Sequence, residues 1–143
     1  MPTAHGIDSK LRSARVGRLA TVDSSYRPHL VPICFAYDNR FIYTALDQKP
    51  KRAAPQNLTR VRNINNNPYV TLLVDHYTEN WKRLWYIQVR GKAKLLPISA
   101  KAERSRAIRL LRAKYPQYDR AMLPDDAPIL RIKPEQIVSW GWL

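Results

Sequence analysis

The chain has one cysteine, Cys34, so no disulfide can close within it, and it suits a reducing compartment. It has four glycines and no glycine-rich phosphate loop. A phosphate bound here has to be gripped by Lys and Arg directly. Its histidines are only three, His5, His29 and His76, and they lack metal-ligand spacing. No metal site is therefore expected. No apolar run approaches the roughly 20 residues of a membrane helix. The opening MPTAHGIDSKLRSARVG has no apolar core of a secretory signal. These absences predict a cytoplasmic protein with no membrane partner.

Acids are scarce as well. Eleven Asp and Glu face 25 Lys and Arg, a formal net charge of +14. Such a surplus points to an acidic partner: nucleic acid, an anionic surface or a phosphorylated or carboxylated small molecule. The surplus peaks in KPKRAAPQNLTRVRN, Lys49 to Asn63, which holds Lys49, Lys51, Arg52, Arg60 and Arg62 and no carboxylate. Pro50 and Pro55 stiffen the run and lower the entropy lost on binding. A solvated basic loop is the plain alternative.

With 45% hydrophobic residues in 143, the chain is long enough for one cored domain, residues 1–143, and too short for two comfortable ones. The pattern predicts a helix over 7–15 and strands over 16–23, 29–38 and 40–47 in an antiparallel meander. A helix over 58–66 follows, capped by Asn57, with Leu58, Val61 and Ile64 inward. Strands over 69–77 and 84–96 come next, with a bulge at Gly91. Ser99 is expected to cap a helix over 100–114 striped by Ile108, Leu111 and Tyr115. Two final strands are expected over 129–133 and 137–143. The sum is a mainly β (α+β) barrel with short covering helices. Several strands are apolar on both faces, which predicts that one face fills the barrel and the other meets a second subunit.

Few residues offer chemistry of their own. Cys34 and His29 fall on opposite faces of one strand, so Cys34 reads as a small core thiol. Asp125 and Asp126 sit in a proline-flanked loop and read as turn residues. Pro32 lies mid-strand, where it cannot donate to a ladder. Its strand is thus an edge, or it faces a flat ligand. Trp81, Trp85 and Tyr86 surround Lys82 and Arg83. That mixture suits single-stranded nucleic acid, a cofactor ring or a subunit contact. Trp85 shares its face with Ile87 and Val89, which favours core or interface.

The segments GRLATVDSSYRPHLVPICFAYDNRFIYTALDQKPKR, LTRVRNINNNPYVTLLVDHY, W..LWYIQVRGKAKLL and IVSWGW, in this order, resemble the pyridoxamine 5'-phosphate oxidase-like split β-barrel superfamily. Within it the chain looks most like the flavin/deazaflavin oxidoreductases, in the branch of probable F420-dependent enzymes. The resemblance runs from about Ala14 to Trp142, and its more specific part is DHY…W..LW with SWGW. It implies an FMN-binding-like split barrel, a homodimer and two cofactor sites in the dimer cleft. By position, Lys49, Lys51 and Arg60 would hold the cofactor phosphate and tail. Val31, Pro32 and Ile33 would offer backbone to the ring, and Trp81 or Trp85 would close the site. The family is divided among FMN, F420 and haem. F420 is the expected cofactor, with FMN the alternative. Oxidase activity on pyridoxamine phosphate is not expected, because the longer C-terminal substrate segment is missing.

The expected function is a reductase passing a hydride to a small conjugated substrate, with the cofactor doing the chemistry. Two other readings compete. One is a carrier that binds cofactor without turnover. The other is a basic nucleic-acid-binding module. The charge is spread over helix, loop and strands without a nucleic-acid motif, which weighs against the last.

Overall fold

The computed structural model describes residues 4–46 and 58–143. Among these residues three α-helices and seven strands follow in order: α1 Ala4–Ser13, β1 Gly17–Val22, β2 Pro28–Ile33, β3 Ala36–Tyr37, β4 Ile42–Ala45, α2 Thr59–Asn66, β5 Tyr69–His76, β6 Trp85–Leu95, α3 Lys101–Lys114 and β7 Ile129–Gly141. The strands form one antiparallel sheet in the order β2-β1-β5-β6-β7-β4-β3. The sheet curls around its core as the split barrel predicted from sequence.

Alternation decides which residues enter that core. In β6, Trp85, Ile87 and Val89 are buried while Tyr86 and Arg90 are exposed. The inward residues meet across strands: Leu19 pairs with Leu72, and Leu72 with Val89. Leu11 of α1 and Val61 and Ile64 of α2 close this cluster. Each such side chain contributes about 1.5–3 kcal/mol on full burial. A second cluster lies under α3, where Ala107, Ile108 and Leu111 pack on Tyr43, Leu123 and Ile129. A polar clamp fastens the same helix. Glu103 takes Arg131 Nη1 on both carboxylate oxygens, at 3.1 and 3.0 Å, and the Tyr43 hydroxyl at 2.7 Å. Arg106 donates to that hydroxyl at 3.1 Å. Burial and the bond to Glu103 push Tyr43 up to about 12.

Several elements differ from their sequence expectation. The strand expected over 29–38 breaks after Ile33, and its halves stand at opposite edges of the sheet, so the first three strands do not form a meander. The break has a local cause. Phe35 N–H donates to the Tyr115 hydroxyl at 3.0 Å, and its carbonyl accepts from Lys114 Nζ at 2.8 Å. Side chains from the end of α3 thus satisfy a backbone that would otherwise need a neighbouring strand. The two strands expected at the C-terminus are one. Pro134 interrupts nothing, because it faces the bulge at Arg90/Gly91. A Cβ on Gly91 would lie 2.1 Å from the Lys133 carbonyl, so only glycine fits there. α3 begins after Ala100 with no side-chain cap, so Ser99 is not its cap. The cap of α2 is Leu58, also without a side-chain bond, and Asn57 lies outside the described residues.

Candidate functional site

Among the described residues β2 lies at the sheet edge and pairs only with β1. One row of its backbone groups is therefore open to another molecule. Pro32 stands opposite Arg18 and is exposed. It removes a donor from the strand and makes it a poor template for a further strand. Val31 is half-buried and Ile33 buried, both packed toward the core. The three residues thus offer backbone, one exposed ring and a rigid seat.

α2 is the second half of the site. Its apolar residues Val61 and Ile64 enter the core. Asn63, buried beside them, donates Nδ2 to the Thr21 hydroxyl of β1 at 2.9 Å. That bond fixes the helix against the strand next to β2. Arg60 is half-buried in the first helical turn, and Arg62 is exposed. Lys49, Lys51 and Arg52 lie outside the described residues, in the segment joining Leu46 to the start of α2.

His29 is a site residue the sequence reading missed, having weighed it only as a base for Cys34 and as a metal ligand. It pairs in register with Thr21, on the inward row of β2. Its Nδ1 is buried and has no hydrogen-bond partner among the described residues. A buried imidazole nitrogen without a partner costs free energy unless a ligand or water meets it. Its place next to Val31 and Ile33, at alternate positions of an inward row, was the available signal. The Thr21–Asn63 bond ties α2, which carries Arg60, to β1, whose Thr21 stands opposite His29. This arrangement fits an anion at the start of α2 with a flat group along β2.

The two tryptophans part company. Trp81 lies on a short 3-10 turn, Trp81–Arg83, and is 71% exposed. Trp85 is buried, stacked at 6.1 Å on His76 with Lys10 Nζ 5.4 Å from its ring. Trp85 is chiefly core, while Trp81 is free to cover a ligand. Cys34 is half-buried and lines a small pocket with Tyr115, Tyr118 and Met122, and no histidine is among that pocket's described lining. Asp125 pairs with Arg112 at 2.9 Å, as befits a loop residue. Among the described residues no group of three His, Cys, Asp or Glu could hold a metal ion. No helix among them is long and apolar enough to cross a membrane.

Solved structures of the same fold cover nearly the whole chain. A conserved hypothetical protein from Mycobacterium tuberculosis is 20% identical, with a TM-score of 0.76 over 97% of this chain and 84% of its own. An FAD-binding protein from Mesorhizobium loti is 24% identical, with a TM-score of 0.69 over 96% and 93%. An F420 reductase is 22% identical, with a TM-score of 0.65 over 92% and 94%. No curated protein matches the sequence. The pyridoxamine 5'-phosphate oxidase family matches residues 5–141, and the chain belongs to that family.

Proposed function

We propose that the protein is an F420-dependent reductase of small conjugated molecules, with FMN as the alternative cofactor. The observation that carries this reading is an open edge strand and the His29 Nδ1, unpartnered among the described residues, beside the helix that carries Arg60 of the basic run. The similarity in fold to an F420 reductase and an FAD-binding protein supports it.

Lys49, Lys51 and Arg60 would hold the cofactor's phosphate and acidic tail as charge-assisted donors. His29 Nδ1 would meet a polar group at the inner edge. The backbone of Val31, Pro32 and Ile33 would align the ring along β2, and Trp81 would shield it from water. The bound cofactor supplies a two-electron hydride donor. A Lys or Arg beside the ring would stabilise negative charge there. The closing proton would come from water.

The outer face of the sheet suits a second copy of the chain. Leu30, Ala20 and Val138 point outward from β2, β1 and β7, and Leu30 is 65% exposed. Exposed apolar residues of this kind, set among polar ones such as Arg18 and Gln88, suit an interaction surface. A homodimer would cover it and shelter the cofactor.

The test is a single turnover. Protein loaded with chemically reduced F420 is mixed with a naphthoquinone acceptor without air. Oxidation of F420 faster than in protein-free solution supports the reductase. Tight cofactor binding with no acceleration over a panel of quinones and enones would leave a carrier instead.

A further inference from the structure

The largest described cleft that the reading above does not use lies at the far end of β5, β6 and β7 and has a volume of about 400 Å³. That is within the range of small-molecule sites. Its walls are mostly rings: Tyr77, Trp85, Tyr86 and Trp140, with His76. Tyr86 and Trp140 are stacked at 5.9 Å and 21°, which fixes one wall as a flat platform. His76 and Trp85 form a second stack at 6.1 Å and 21°.

Charge makes this cleft unusual for its protein. Among the described residues no Lys or Arg lines it. Its one carboxylate is Asp75, whose Oδ1 accepts from Arg18 Nη1 at 2.7 Å. The other carboxylate oxygen has no partner among the described residues. The lining therefore disfavours anions and offers an acceptor at the end of an aromatic slot. Arg18 also links the cleft to β2, because it stands opposite Pro32 in the sheet.

We propose that this cleft binds neutral planar aromatic molecules bearing a hydroxyl or N–H donor, held on the Tyr86–Trp140 platform and hydrogen-bonded to Asp75. As the seat of the molecule to be reduced, it rests on the reductase reading above; as a binding site, it does not. A second subunit on the open face would wall the cleft rather than fill it. Leu84 and Tyr77, which also line it, lie beyond the last paired row of that face.

The experiment is calorimetric titration of cofactor-free protein with 2-naphthol, 2-methoxynaphthalene and 2-naphthalenesulfonate in 0.3 M salt. Expected is one site per chain for 2-naphthol, at least tenfold tighter than for either analogue. Trp140→Ala should weaken it at least tenfold. Tyr77→Ala, a change at an exposed ring outside the sheet, should weaken it severalfold without altering the circular dichroism spectrum. Asp75→Asn should abolish the preference for the hydroxyl over the methoxy compound. Sulfonate binding as tight as naphthol, displacement of naphthol by FMN at a matched stoichiometry, or unchanged affinity in both aromatic variants would overturn the proposal. If 2-naphthol binds as expected but reduced F420 is never consumed, this site stands and the reductase reading falls. Turnover of quinones without naphthol binding at these residues removes this site alone.

Discussion

Asn63 Nδ2 donates to Thr21 Oγ1 at 2.9 Å, and both side chains are buried. The bond is the polar link between the helix that carries Arg60 and the strand that pairs with β2. Removing one partner strands the other in an apolar setting, at a cost of about 1–3 kcal/mol. Asn63→Ala should lower the midpoint of urea unfolding accordingly. It should also weaken cofactor binding more than Thr59→Ala does, since Thr59 is exposed on the same helix. Equal cofactor affinity in the two variants would mean that Asn63 serves stability alone.

Glu103 predicts an acid-sensitive helix. Burial pushes its carboxyl up, but the Tyr43 hydroxyl and Arg131, with Arg106 further off, together hold it below its ordinary value. A group whose folded value is depressed stabilises the fold above its unfolded value, and the contribution is lost as pH falls through the folded value. Thermal unfolding of the native protein should therefore become easier below about pH 4.5, its ordinary carboxyl value. Glu103→Gln should flatten that part of the profile and cost about 1–3 kcal/mol at neutral pH. A variant with the same acid slope as the native protein would contradict the clamp.

Lys114 predicts the opposite behaviour. Burial chiefly, then the nearby Arg15, lowers its ammonium to about 8. Between that value and the ordinary 10.5 the unfolded chain binds the extra proton, so stability rises with pH in that window. Unfolding of the native protein compared with Lys114→Met at pH 7.5, 9 and 10 measures this. The native protein should gain on the variant as pH rises. A constant difference would show that Lys114 keeps an ordinary value in the fold.

The apolar outer face predicts assembly. Sedimentation at micromolar concentration should show a dimer, and Leu30→Arg should shift it to monomer with little change in secondary structure. A native monomer at that concentration would remove the shared-cleft arrangement.

Much of this fold could be read from alternation. β5, β6 and the bulge at Gly91 follow from residue pattern alone, because their inward rows are continuous and apolar. The break at Cys34 and Phe35 could not be read that way. Its cause is Tyr115 and Lys114, some 80 residues away in sequence, which take the place of a strand neighbour. The fusion of the last two strands was hidden for a related reason: Pro134 breaks an ordinary strand but is harmless opposite a bulge. The site was half legible. Pro32 announced an edge, which the sheet order shows, while Lys49, Lys51 and Arg52 of the basic run lie outside the described residues. His29 was missed because its meaning depends on Thr21 and Asn63, which reach it only through pairing.

The central claim is that the basic run and the edge strand hold an anionic deazaflavin. F420 carries a phosphodiester and several carboxylates, whereas FMN carries one phosphate. The run from Lys49 to Arg62 spreads five cations along the chain, more than one phosphate needs. Salt shortens the Debye length from about 10 Å at 0.1 M to about 3 Å at 1 M, so a longer charged tail loses more. Titration of F420 and FMN by fluorescence at several salt concentrations tests this directly. The account predicts tighter F420 binding at low salt, a steeper fall with salt, and a loss of about 1.5–3 kcal/mol in Lys51→Ala or Arg60→Ala. Tighter FMN binding throughout, or unchanged affinity in both variants, would contradict it.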